Sequence, residues 1–421
     1  MGIARNVDVR VIHEDEIEEW GRAARRGFLS RYEAGDLPWR KRTFEPGRWQ
    51  AAFDGERCVG TFRSIPFELT VPGGATLAAD GIAGVTVTST HRRQGLLGRM
   101  MERDLAGARE RGEAVAILYP AEYAIYGRFG FGPALWQGGC EMSIPSSGGL
   151  RAGVGAAGTG RIDLATMAEV RKHGPELFDR FRVTRPGAIS RAAWHWEGDT
   201  GEIARPGETF KEPFYALHRD AGGEVTGLLA YLVDDAWAEG GPNHTLRVLD
   251  HFATDRESEE ALWRYAFSVD WIRKVRVENI APDDPLPLLL NNPRAAVPTE
   301  ECGDGVWLKV LDVPAAFGAR TYRGPGRVVL EVADSGPGGS GYAAGRWAVE
   351  AAADGTGRAE RTDDPADLAM DAGALGSLYL GGVSVPLLAA AGLVRELRPG
   401  AVERADVLLR SSVAPWCPDH F

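Results

Sequence analysis

Residues 79–112 leave the fewest options for the fold. A β-branched run, Val85-Thr86-Val87-Thr88, leads through Arg92-Arg93-Gln94-Gly95 into a helical pattern with Leu97, Met101, Leu105 and Ala108 on one face. Gly112 closes that helix, and residues 114–119 read as a short buried strand. Upstream, VDVRVI reads as a strand and residues 15–29 as an amphipathic helix. Residues 50–63 and 65–71 read as two strands joined near Ser64-Ile65-Pro66. Alternating strands and helices of this kind imply an α/β domain around a central mixed sheet.

The turn before the helix is built to receive an anion. Free backbone N–H groups at a helix start point outward, and the helix dipole favours negative charge there. Gly95 and Gly98 remove side chains where a phosphate must approach the backbone. Arg92 and Arg93 add charge. The dipole alone contributes about 0.3–1 kcal/mol, so several N–H bonds must carry most of the affinity.

This segment resembles the acetyl-CoA motif of the GCN5-related N-acetyltransferases, Q/R-x-x-G-x-G/A after a strand. It reads here as Arg93-Gln94-Gly95-Leu96-Leu97-Gly98, with Arg92 or Arg93 opening the turn and Ser89 where many members have proline. The resemblance implies that the backbone of Val85, Thr86 and Val87 meets the pantetheine amides. Downstream, Tyr126-Gly-Arg-Phe-Gly-Phe131 resembles the family's Y-x-x-x-G-F signature. Ala121 and Glu122 would then border the cofactor, and Tyr126 would stand near the thioester sulfur. A phenol suits that place. Its pKa of about 10 keeps it protonated beside a leaving thiolate whose conjugate acid lies near about 8.5.

A chain of 421 residues exceeds what one core usually supports. Residues 146–160 and the proline-rich 281–305 read as the breaks. Within the first, Gly153-Val-Gly155-Ala-Ala-Gly158 matches G-x-G-x-x-G but lacks the flanking strand and helix, so it reads as linker. The middle segment repeats a helix at 257–269 between strands at 245–251 and 275–279. It resembles a second acetyltransferase-like fold, but its turn, Thr254-Asp-Arg-Glu-Ser-Glu-Glu260, is acidic and would repel a pyrophosphate. His251-x-x-x-Asp255 is too short a match to assign chemistry. In the last segment, strands are expected at 306–310, 327–333 and 346–351 and helices at 366–375 and 383–391. The Gly-rich 334–341 reads as a hairpin turn, and the layout resembles a sterol-carrier fold.

Two tandem acetyltransferase-like domains, the second degenerate, followed by a sterol-carrier-like domain, resemble the actinobacterial enhanced intracellular survival (Eis) family. The resemblance implies an α/β (α+β) chain divided into residues 1–150, 151–300 and 301–421. It implies acetyl transfer from acetyl-CoA to amines of aminoglycosides or lysine-bearing polypeptides, in a hexamer of two trimers. It also gives a role to the apolar ending Ala-Pro-Trp-Cys-Pro-Asp-His-Phe421: the Phe421 α-carboxylate would act as general base, with His420 or Asp419 as alternatives. Phe28, Glu33, Asp36 and Trp39 fall where the family builds its acceptor pocket.

Charge and cysteine usage narrow the setting. A net charge of −11 argues against a nucleic-acid backbone as partner and is compatible with a cationic substrate. Cys58, Cys140, Cys302 and Cys417 are far apart without metal-ligand spacing, so neither a disulfide framework nor a metal is expected. No segment approaches about 18 uninterrupted apolar residues, and the first residues lack an apolar h-region. A cytoplasmic protein without a membrane partner is expected. The rival expectation is a binding protein that senses CoA and carries a hydrophobic ligand without turnover.

Overall fold

The computed structural model describes residues 7–155, 158–299, 302–335 and 341–421. A seven-stranded sheet organises the N-terminal part. Strands β1 (Asp8–Val11), β2 (Trp49–Asp54), β3 (Arg57–Thr70) and β4 (Thr76–Val87) run antiparallel, and β5 (Val115–Leu118) joins β4 in parallel. Helices α1 (Ile17–Gly27), α2 (Asp36–Arg42) and α3 (Leu96–Glu110) pack around it. Leu96, Met100, Met101, Leu105 and Ala108 form the buried stripe of α3.

The expected turn at Ser64-Ile65-Pro66 does not exist, because β3 runs straight through it. From Ser64 onward the even-numbered amides point away from β4, as Ser64, Glu68 and Thr70 show. Pro66 thus lacks its N–H on the side where β2 has already ended at the Trp49–Arg63 pair. The hairpin turns instead at Gly55, with a φ of 62°.

The expected boundaries at 150 and 300 are crossed twice. Strand Trp307–Val310, assigned above to the last domain, pairs antiparallel with β5 and continues the first sheet. Without it β5 would present an unpaired edge inside the molecule. In the other direction, Cys140–Ser143 joins the second sheet beside Ile272–Val277. The expected breaks are packed connections. Leu286, Leu289 and Leu290 sit in the second core, as does Val154; residues 156–157 of the glycine motif lie outside the described residues.

The third sheet combines Gly326–Ala333 and Gly345–Ala351 as an antiparallel pair. Residues 336–340 of the expected hairpin turn lie outside the described residues. The helix expected at 366–375 is half strand: Leu368–Asp371 pairs parallel with Gly326–Ala333, and the helix begins at Ala372. Leu368 and Met370 are buried while Asp371 is exposed, a period of two. Asp371 then caps the helix by accepting the Ala374 N–H at 2.8 Å.

One apolar cluster passes from the first sheet into the third domain through Phe67, Ile117, Leu308, Phe317, Leu330 and Leu375. Beside this joint the fully buried Lys309 ammonium donates to both carboxylate oxygens of Asp334, at 2.9 and 3.1 Å. Gly130, the glycine of the Tyr126 motif, makes room for this pair. It has a φ of 83°, and a Cβ there would stand 2.5 Å from the Lys309 Nζ. Removing one buried charge strands the other, at a cost of about 3–5 kcal/mol. Asp334→Ala should therefore lower the thermal midpoint sharply by differential scanning calorimetry, and Lys309→Met combined with Asp334→Leu should recover most of the loss. Equal midpoints for Asp334→Ala and wild type would show that the pair does not lock the joint.

Candidate active site

The cleft begins where two strands part. β4 pairs with β5 only from Ala79–Val115 to Ile82–Leu118, yet β4 continues to Val87 against β3. Past Ile82 its β5-facing edge has no strand partner among the described residues. A bulge in the β3–β4 register between Thr61 and Arg63 bends the strand there, and Gly84 takes a φ of 61°. The Thr88 N–H donates to the Val59 carbonyl of β3 at 2.8 Å, so by alternation Thr86 turns its main chain to β3, its hydroxyl meeting that of Thr61 at 2.7 Å, while Val85 and Val87 turn theirs to the gap.

The strand then delivers the chain to the start of α3. Residues Ser89–His91 form a short 3-10 turn, and Gly95 occupies the N-cap with a φ of 78°. No side chain caps this helix, so its first amide N–H groups remain available. A Cβ at Gly95 or Gly98 would meet only open space within 4 Å. An uncapped helix start beside open volume fits a diphosphate, and the free β4 edge fits amides, so the residues present match acetyl-CoA. Arg92, Arg93, Gln94 and Gly95 are exposed, whereas Leu96 is buried and Leu97 and Gly98 are half-buried. Arg92 reaches Glu122 at 3.8 Å, so the glycine turn and the Ala121-Glu122 turn face each other across the mouth.

Tyr126 ends the helical turn Tyr123–Tyr126 and is 7% exposed. It lies in one apolar cluster with Ile82, Leu118, Val85, Val87 and Leu97, which brings it to the parted strands. Burial, reinforced by Glu122, pushes its phenol up to about 12. Its hydroxyl has no hydrogen-bond partner among the described residues.

A cavity of about 970 Å³ opens on the other side of β4 and includes Ala83, Gly84, Phe28, Trp39 and Phe421 in its wall. Of the expected pocket residues, Phe28 and Trp39 line it. Asp36 is buried and bound to Arg25 at 2.7 Å, and Glu33 is exposed outside the lining.

The C-terminal segment is pinned along its length. The Trp416 indole donates to Asn279 at 2.8 Å, and the Asn279 amide returns a bond to the Cys417 carbonyl at 2.9 Å. Arg191 holds Asp419 at 2.8 Å and Asp250 at 2.6 Å. The Tyr119 hydroxyl donates to the Asp419 carbonyl at 2.6 Å. The Phe421 ring packs against Phe67 and Tyr119 at 4.9 and 5.3 Å. Burial raises the Asp419 carboxyl to about 7 against the pull of Arg191, and lowers the His420 imidazole.

The middle domain parts its strands in the same way. His244–Ala253 pairs with Ile272–Val277 only as far as Val248–Val277, and Trp416, Pro418 and His420 line the cavity beyond. His251 stacks on Trp263 at 4.2 Å and Asp255 caps the following helix, so the His-x-x-x-Asp match is structural. Sequence reasoning missed Tyr119, Arg191, Asn279 and the wall residue Trp194; only the apolar ending signalled an anchored tail. All four cysteines are free, with Cys302 exposed and the others buried. Among the described residues there is no cluster of three or more metal-ligating side chains, and no helix is long and apolar enough to cross a membrane.

Comparison with known proteins agrees with this geometry. Residues 8–134 and 187–320 each match an acetyltransferase (GNAT) domain family, and residues 313–418 match a sterol carrier protein domain. An uncharacterized N-acetyltransferase of Streptomyces avermitilis is 47% identical over 419 residues, 99% of each chain. N-acetyltransferase Eis of Mycobacterium tuberculosis is 33% identical over 366 residues, 85% of each chain. The crystal structure of Eis1 from Mycobacterium abscessus superposes with a TM-score of 0.84 at 28% identity, covering 99% of this chain and 100% of that one. The chain therefore belongs to the Eis family of GCN5-related N-acetyltransferases and is an N-acetyltransferase of two GNAT domains and a sterol-carrier-like domain.

Proposed function

We propose that the protein moves an acetyl group from acetyl-CoA to a primary amine, of the aminoglycoside or lysine type, by direct attack in the N-terminal cleft. The observation that carries this is the unpaired edge of β4 beyond Ile82, which has the uncapped start of α3 at one end and the Phe421-walled cavity behind it. Acetyl-CoA supplies an activated thioester. Val85 and Val87, on either side of the β3-paired Thr86, hold its amides along the strand, and the N–H groups from Gly95 to Gly98 hold its diphosphate, with Arg92, Arg93 and Gln94 at the mouth.

The Phe421 α-carboxylate serves as base and takes one proton from the substrate ammonium. The freed nitrogen forms the C–N bond as the C–S bond breaks; Tyr126 gives its phenolic proton to the departing sulfur, and the second proton shed by the new amide nitrogen restores the phenol through solvent. A phenol held at about 12 is protonated at every neutral pH. It gives up the proton less readily than free tyrosine, so a strong hydrogen bond to the sulfur is the larger part of its contribution. By its family the protein would assemble as a hexamer of two trimers in the cytoplasm. Sedimentation at micromolar concentration should then return six chains.

Tyr126→Phe should lower kcat in a thiol-release assay by about 10²–10⁴-fold, the usual scale of positioned acid–base catalysis. Unchanged turnover would remove Tyr126 from the mechanism. Semisynthetic amidation of Phe421 keeps the ring and removes the charge; it should lower kcat/KM at neutral pH and leave turnover only where the amine has lost its own proton, and an unchanged profile would remove the carboxylate from the mechanism. In wild type, kcat/KM should climb as the amine loses its proton. It should show no fall attributable to Tyr126 below about pH 10, because the raised phenol pKa keeps the donor protonated across that range. Acetyl-CoA binding without amine-dependent thiol release would favour the CoA-sensing alternative.

A further inference from the structure

The acceptor cavity carries more positive than negative side chains although the chain as a whole has a net charge of −11. Seven Arg and Lys side chains line it against four Asp and Glu, among the described residues. The inner carboxylates are already engaged: Asp250 and Asp419 bind Arg191, and Asp199 binds Arg205. Glu208 stands exposed at the rim, with Lys211 beside it in the lining. Apart from the α-carboxylate of Phe421, the interior offers no free anion to a second ammonium.

Free cations are present. Arg63 lies opposite Ala83 in the β3–β4 register, with its Cγ 3.4 Å from where a Cβ on Gly84 would be, so it stands at the point where β4 leaves β5. Its guanidinium has no hydrogen bond or ion pair with any described residue and rests 5.4 Å above the Trp49 ring. Arg40, which is 8% exposed, is its like-charged neighbour. Among the described residues the Arg40 Nε is buried without a partner, and its only ion pair is Asp36 at 3.9 Å, a carboxylate already bound by Arg25 at 2.7 Å. Burial and the mutual repulsion hold Arg63 down to about 10. In the same wall, both ring nitrogens of His195 are buried without partners, and burial together with Arg191, Arg205 and Arg63 keeps that ring neutral. An unpaired Arg63 that feels the charge of Arg40, itself held by Asp36 only at 3.9 Å, is destabilised until an oxyanion arrives.

We infer that the acceptor is an amine that also carries an oxyanion, a carboxylate or a phosphate, and that Arg63, backed by Arg40, receives that group. This rests on the amine-acetylating reading above and narrows it: of the two acceptor types it keeps lysine-like amines that bear an oxyanion and sets aside the polyammonium aminoglycosides. The amine end goes to the base at Phe421, and the acidic end goes to the arginine fork, whose planar donors match either oxyanion. A molecule with ammonium groups at both ends would set one of them against Arg63.

The test uses the full-length protein and four matched acceptors: aminovalerate, aminopentyl phosphate, cadaverine and pentylamine. In wild type, kcat/KM for at least one of the two anionic amines should exceed that for cadaverine by about tenfold or more, the scale of one charge-assisted contact. The better of the two identifies the oxyanion. Arg63→Gln should erase this preference, and Arg63→Lys should keep part of it. The readout is a ratio measured on one preparation, so a partly unfolded variant does not distort it. Cadaverine preferred by wild type, or an unchanged ratio in Arg63→Gln, would overturn the inference. Should no amine release thiol, the functional reading fails by itself. Calorimetry then decides this point: aminovalerate or aminopentyl phosphate must bind wild type about tenfold more tightly than Arg63→Gln, and equal or absent binding refutes it.

Discussion

Everything in the N-terminal site depends on β4 parting from β5 after four paired residues. A strand that stayed paired to Val87 would spend its amides on a neighbour, and no main chain would be left for a pantetheine arm. β5 ends at Leu118, and along its four residues its other edge is paired with Trp307–Val310, a segment distant in sequence. The gap thus opens because β5 stops at Leu118 while β4 runs on to Val87, held in place by β3 on its other edge. Strand Trp307–Val310 carries Lys309, whose buried bond to Asp334 ties the gap to the third domain.

The C-terminal tail is the second long-range element. It crosses the parted strands of the middle domain, is fastened by Asn279, Arg191 and Tyr119, and ends at the wall of the first domain's cavity. This gives the second GNAT domain a physical use. Its cleft is bordered by Trp416, Pro418 and His420, and it becomes the track on which the terminus is laid. Each domain therefore contributes to one site: backbone from the first, anchors from the second, and the final residue from the third.

Features carried by local chemistry were legible in the sequence. The strand, glycine turn and helix around Gly95 each follow from spacing within about twenty residues, where periodicity and capping decide the structure. The place of Tyr126 at the parted strands was legible for the same reason, since its neighbours in sequence define it. Features set by distant pairing were not. Trp307–Val310 looks like any strand of the last segment, because nothing local names Val115–Leu118 as its partner. Residues 366–375 are rich in Ala, Leu and Gly, which fits helix and strand alike until the pairing with Gly326–Ala333 settles the first half. The pocket carboxylates misled in another way: Asp36 has the right charge, but its partner Arg25 is visible only in three dimensions. A net negative chain likewise concealed a cavity wall rich in arginine.

The central claim is that main-chain amides of residues 83–98 grip the cofactor, and amide hydrogen exchange tests it without relying on turnover. Adding coenzyme A to the intact protein should slow exchange along Val85 to Val87 and at the start of α3, and leave the middle domain's parted strands unchanged. Slowed exchange only at residues 244–260, or none anywhere, would contradict the account.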